Sequence, residues 1–212
     1  MAEDPEGNAV LIEFRPHDDA AKQQYLGVWQ KMAQAVQKHH QLAGSPPVPE
    51  WTAWKPGEWC DQQRGYENRQ KVVAWHGNHL VGFLNVWPDC ASIHQPGKRV
   101  LYVEHLAAAP GNLSTELWVR RFRRVGGVLF AYTVLLSHRQ GFEGRLGLHV
   151  ADAQALGFYR RLSNEHCQGT LFHPEHTGIP GPTPRGAHET GKTYLETTEA
   201  GATRWLEEYR RA

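Results

Sequence analysis

The sequence predicts an α/β (α+β) protein built on a mixed sheet flanked by helices. Three observations carry that prediction. First, 212 residues with 40% hydrophobic content can bury a substantial core. Second, short apolar runs bounded by turn signals, read as strands, dominate between residues 70 and 106. Third, strands and helices alternate from residue 100 to the C-terminus, as a sheet covered by helices requires.

The elements follow in chain order. Val10–Arg15 reads as a first strand with Val10, Ile12 and Phe14 on one face. Asp18 and Asp19 can cap a helix from Ala20 to about Gln41, in which Tyr25, Trp29, Met32 and Val36 recur at helical spacing. Pro46, Pro47 and Pro49 stop it. Residues 45–69 hold Trp51, Trp54, Trp59 and Tyr66 among prolines and glycines. Two readings fit: a loop anchored by aromatics, or one wall of a pocket built from stiff side chains.

Val72–Trp75 and Leu80–Trp87 form a hairpin around Gly77-Asn78. Val100–Leu106 is a fourth strand and runs into Ala107-Ala108-Ala109-Pro110. A helix covers about Gly126 to Gln140, with Gly141 beyond its end. Arg145–Val150 is a fifth strand and residues 153–162 a short helix. Residues 173–191 form an irregular excursion rich in Pro and Gly. Lys192–Glu196 is a last strand, and the closing helix places Ala202, Trp205, Leu206 and Tyr209 on one face.

Composition excludes several classes. With 23 Lys+Arg against 22 Asp+Glu, the net charge of +1 argues against a globally basic nucleic-acid binder and against an acidic tail. The three cysteines, Cys60, Cys90 and Cys167, form no disulfide framework. No apolar run approaches the ~20 residues of a membrane helix, and the acidic N-terminus lacks a secretory apolar region. The expectation is one domain over residues 1–212, soluble and cytoplasmic, with no membrane partner.

The densest chemistry lies at Arg120-Arg121-Phe122-Arg123-Arg124-Val125-Gly126-Gly127. Four arginines precede a helix whose N-terminus already carries about half a positive charge, an arrangement that an anion relieves. Two glycines let the backbone approach such a guest closely. A polyphosphate fits; a solvated basic patch is the other reading. Among 13 histidines the best metal grouping is His173 and His176 with His188 and Cys167, but it lacks the spacing of a structural zinc site.

From the fourth strand to residue 162 the sequence resembles the GNAT superfamily of acyl-CoA-dependent N-acetyltransferases. Arg121-Phe122-Arg123-Arg124-Val125-Gly126 is similar to that family's pyrophosphate loop, Q/R-x-x-G-x-G/A. Asp152, Ala155, Phe158 and Tyr159 match its N-x-x-A-x-x-F-Y helix. The resemblance covers about residues 10–172. Its departures are Arg124 at the first loop glycine, Asp152 for Asn, Ser163-Asn164 after the helix, and an insertion between Pro110 and Arg121.

The resemblance implies a twisted, mostly antiparallel sheet splayed at the fourth and fifth strands. It implies acetyl transfer from acetyl-CoA to a primary amine by direct attack. Arg121, Arg123, Arg124, Val125, Gly126 and Gly127 would hold the pyrophosphate, and Leu106, Ala107 and Ala108 the thioester. Asp152 and Phe158 would complete the cofactor site. Glu104, placed by strand alternation with Tyr102 and Leu106 and opposite His105, would be the base; pairing with an arginine is its other reading. Tyr159 would be the acid, or a core tyrosine. The alternative function is a GNAT-fold binding or assembly module without catalysis. The C-terminal strand and helix are compatible with a homodimer.

Overall fold

The computed structural model describes residues 1–43, 68–113, 117–179 and 191–211. Of the sequence features, the Trp51/Trp54/Trp59 segment, Cys60 and His188 lie outside the described residues.

The N-terminus forms a small ribbon of β1 (Ala2–Glu3) and β2 (Ala9–Val10). The expected first strand is therefore split: its second half is β3 (Glu13–Pro16), which joins the main sheet. Val10, Ile12 and Phe14 still pack on one hydrophobic cluster, while Leu11 is 82% exposed. Helix α1 (Asp19–Gln24) starts at Asp18, whose Oδ1 accepts from the Ala21 amide at 2.8 Å. The expected continuous helix is interrupted by a π turn, Tyr25–Trp29, before α2 (Gln30–Ala43). In that turn the Gln30 amide donates to the Tyr25 carbonyl. The wider turn lets Tyr25 and Trp29 meet edge to face at 4.7 Å above Phe83.

Strands β4 (Gln70–His76) and β5 (His79–Ala91) form the expected hairpin, with Gly77 at φ +54° in its turn. β6 (Arg99–Ala108) follows antiparallel to β5. Helix α3 (Val125–Arg139) crosses over to β7 (Leu146–His149), which pairs parallel with β6. Helix α4 (Ala153–Cys167) runs beyond the expected residue 162, because Ser163 and Asn164 continue the helix until Gln168 and Gly169 turn left-handed. A two-residue strand, β8 (His176–Thr177), falls within the stretch expected to be irregular, and β9 (Thr193–Glu196) and α5 (Glu199–Arg211) close the chain.

The seven-stranded sheet has the order β3-β4-β5-β6-β7-β9-β8, antiparallel except for β6 and β7. This is the mixed, mostly antiparallel sheet flanked by helices that the sequence led us to expect. On one face α3, α4 and α5 bury Leu84, Val86, Leu101, Val103 and Leu148 around Phe130 and Trp205. On the other, α1 and the π turn cover Val73, Trp75 and Phe83. Helix α3 lies so close to the sheet that a Cβ on Gly82 would stand 2.8 Å from Leu129. No helix among the described residues is long and apolar enough to cross a membrane.

Candidate functional site

The site begins where the sheet opens. β6 and β7 pair only through Leu101, Tyr102 and Val103, against Leu146, Gly147 and Leu148. β6 then runs on to Ala108 beside β5, and among the described residues its other edge has no strand partner over the last five residues. Unpaired strand backbone must find partners elsewhere or in a ligand.

A cleft of about 300 Å³ lies against that open edge. Leu106, Ala107 and Ala108 form one wall. The first turn of α3, from Arg124 to Gly127, forms another, and α4 supplies Asp152, Ala155, Phe158 and Tyr159. The structure thus brings together most of the residues selected from the sequence. Phe158 lies against Gly126, where a Cβ would come within 3.2 Å of the ring and press it back by a few tenths of an ångström.

The mouth of α3 is unusual. Arg124, its N-cap residue, sits at φ 58°, ψ 11°, in the left-handed region, and makes no side-chain cap bond. The first helical bond is from Val128 to the Arg124 carbonyl at 3.1 Å. No acidic residue occupies the first turn. Amides at such a terminus point outward, and with the helix dipole they favour an anion. Arg120, Arg124 and Arg161 line the cleft, whereas the one carboxylate among its described lining residues, Asp152, is used as the α4 N-cap, its Oδ1 accepting from Ala155 at 2.7 Å. The cleft is cationic.

Arg121 and Arg123 stand elsewhere. Arg123 pairs its backbone with Glu3 on the N-terminal ribbon, at 2.8 and 3.3 Å. Arg121 turns to the opposite side of the inserted segment, where Nη1 meets His79 Nδ1 at 3.0 Å. The inserted segment (110–120) reroutes the chain, so loop position alone does not bring these two side chains to the cleft. Arg120 belongs to the arginine run but was not assigned to the cofactor, and Arg161 escaped the sequence reading. Helical spacing could have found Arg161, because residues 154, 158 and 161 share a face of α4.

Glu104 is the extra residue of a β-bulge: Val103 opposes Val86 and His105 opposes Asn85, with the register shifting between them. The bulge corrects the face assignment made from strict alternation. Glu104 shares a face with Tyr102, but Leu106 turns to the α3 side and His105 comes to lie beside Glu104. The carboxylate receives Arg69 Nη2 at 2.7 Å on Oε1 and 2.5 Å on Oε2, Asn85 Nδ2 at 3.0 Å and Trp87 Nε1 at 2.9 Å. The Arg69 guanidinium, 2% exposed, also stacks 4.9 Å from the Trp87 ring. Pairing with an arginine is thus what the structure shows for Glu104.

One residue beyond the last parallel pair, on the other arm of the opening, stands His149. Its Nδ1 lies 3.0 Å from the Tyr102 hydroxyl and its Nε2 3.0 Å from the Ile179 carbonyl. The carbonyl can only accept, so Nε2 carries the proton and Tyr102 donates to Nδ1. This link fastens the two strands where they begin to part, and no sequence signal pointed to it.

Tyr159 serves both readings. Its ring packs among Phe130, Phe158 and Phe172 at 5.1–6.0 Å, in the main core, and its edge lines the cleft. Burial pushes its phenol well above the usual tyrosine range, so it stays protonated. The metal grouping does not assemble: His173 and His176 gather at His94, while Cys167 is buried against the Gly201 carbonyl at 3.4 Å. No metal-binding cluster occurs among the described residues.

No protein-family profile matches the chain, and no curated protein matches it. Solved structures do. PaiA N-acetyltransferase from Thermoplasma acidophilum, in complex with coenzyme A, shares 12% identity over 89% of this chain and 99% of its own, with a TM-score of 0.46. An acetyltransferase of the GNAT family from Desulfovibrio desulfuricans shares 14% over 88% and 97%, TM-score 0.49. A GNAT-family acetyltransferase from Elizabethkingia anophelis with acetyl-CoA bound shares 15% over 88% and 97%, TM-score 0.44.

Proposed function

We propose that the protein is a GNAT-type N-acetyltransferase that uses acetyl-CoA as cosubstrate and a primary amine as acceptor. One observation carries this reading: a cationic cleft joins the open edge of β6 to the uncapped N-terminus of α3. In this reading the pyrophosphate sits on the amides of Val125, Gly126 and Gly127 with Arg120, Arg124 and Arg161 around it. A second hollow of about 250 Å³ shares Arg124, Gly127, Phe158 and Arg161 with the cleft and continues to Tyr209, leaving room for the nucleoside end.

The pantetheine arm then lies along Leu106–Ala108 and brings the thioester to the opening between the strands. A strand amide there polarises the carbonyl as the amine attacks, and the C–N bond forms as the C–S bond breaks. Glu104, already held by three donors, receives the amine proton through water, and the Tyr159 phenol donates a hydrogen bond to the departing sulfur. The free buried thiols of Cys90 and Cys167 fit a cytoplasmic protein.

A second reading, a binding module without catalysis, is favoured by the arginine clamp on Glu104. Calorimetry with acetyl-CoA separates the outcomes. The wild type binds, an Arg120→Ala/Arg161→Ala variant binds about tenfold more weakly or worse, and an Arg121→Ala/Arg123→Ala variant binds as the wild type does. Thiol release with a panel of amines tests turnover. Binding without turnover would establish the second reading, and absence of binding would refute both.

A further inference from the structure

A separate hollow of about 410 Å³ lies on the far side of the inserted segment. Its inner surface is apolar: Leu80 and Val81 from β5, Trp29 from the π turn, Met32 from α2, and Trp118 from the insertion. Arg121 stands at its mouth. Because a guanidinium only donates, its 3.0 Å contact with Nδ1 requires His79 to be neutral and accepting. Among the described residues none that lines the hollow is acidic, and Arg121 meets no carboxylate. A permanent cation is thus held by a neutral partner at the entrance to an aromatic cavity.

We propose that this hollow binds a small apolar carboxylic acid, its carboxylate on the Arg121 fork and its aromatic or aliphatic body between the two indoles. The volume suits such a ligand, and a few polar groups on an apolar lining are what fix its orientation. The rim extends the apolar surface, with Val28 45% and Val119 85% exposed. The wall that carries Trp29 is a π turn, a departure from regular helix that recurs at binding sites. The hollow is distinct from the cofactor cleft. Among the described residues only Asn112 borders both, and its side chain is fixed, donating to the Val81 carbonyl at 3.0 Å and accepting from the Phe122 amide at 3.2 Å. The proposal therefore stands whether or not the protein transfers acetyl groups.

The test uses 2-naphthoate and its neutral counterpart 2-naphthylmethanol, followed by calorimetry and tryptophan fluorescence, with and without saturating coenzyme A. Wild-type protein binds 2-naphthoate and does so in the presence of coenzyme A. Arg121→Gln weakens 2-naphthoate by about tenfold or more without changing the neutral probe, and Arg121→Lys restores part of the loss. Because Arg121 is exposed, an unchanged melting temperature confirms that the variant is folded. Absence of 2-naphthoate binding, an affinity unaltered by Arg121→Gln, or displacement by coenzyme A would each overturn the proposal.

Discussion

Arg124 shows how much one residue can carry. A left-handed conformation costs an L-residue about 1–2 kcal/mol, and here the cost falls on an arginine that pairs with Glu3 at 3.1 Å, a half-exposed pair of little worth. Arg124→Gly should raise stability by about 1 kcal/mol, read from chemical denaturation, while weakening acetyl-CoA if the guanidinium meets a phosphate. Arg69 and Glu104 pose the opposite case. Arg69→Met strands a largely buried carboxylate and should cost about 3 kcal/mol, and adding Glu104→Gln should return much of it. A cycle showing no coupling would deny the pair its structural role. His94 and His17 share a third behaviour. Burial lowers both below the ordinary histidine value of 6.5; around His94, Glu196 pulls it back up and His173 and His176 push it further down. Both stay neutral in the folded state and gain protons more readily when unfolded. Their contribution is therefore complete above pH 6.5 and is lost as the pH falls below it. Thermal melts between pH 8 and 5 should show this slope, and His94→Phe should flatten it.

Among the elements, the segment between β6 and α3 is the least predictable and the most consequential. Asn112 is buried and pins it at both ends, to Val81 and to Phe122. Asn112→Ala leaves the Phe122 amide without its partner, which should cost about 2 kcal/mol and speed hydrogen exchange across residues 109–122. The strands β4–β5 and helix α3 were legible as continuous apolar runs bounded by turn residues, and burial follows those runs: Leu80 to Trp87 of β5 are all buried. The π turn was not, since residues 25, 29, 32 and 36 satisfy an ordinary helical spacing whether or not one turn is widened. Nor was the bulge at Glu104: alternation gives its facing correctly but fails for everything after it. In the site, the residues set by local geometry, Val125–Gly127 on their turn and Asp152–Tyr159 on their helix, were readable. Arg121 and Arg123 were not, because where they point depends on an inserted path that only tertiary contacts define.

For the molecule as a whole, the sheet divides the chemistry between two faces. The cationic cleft lies on the α3 and α4 side, and the clamped carboxylate lies with Tyr102 and Trp87 on the other. The opening between β6 and β7 is the passage that relates them, with Tyr102 and His149 fastened at its apex. One residue sets the phase of this arrangement. Because Glu104 adds a step to β6, every later side chain of that strand is displaced by half a period, and Leu106 reaches the α3 core while Ala107 faces the other way opposite Phe83. Removing residue 104 altogether would take that step out again: His105 would follow Val103 in a regular ladder, and Leu106 and Ala107 would keep their faces and their partners Leu84 and Phe83. A one-residue deletion there should thus lower the melting temperature about as much as Glu104→Ala, which equally leaves the Arg69 guanidinium without its carboxylate, and a comparison of expression and melting temperatures would reveal this.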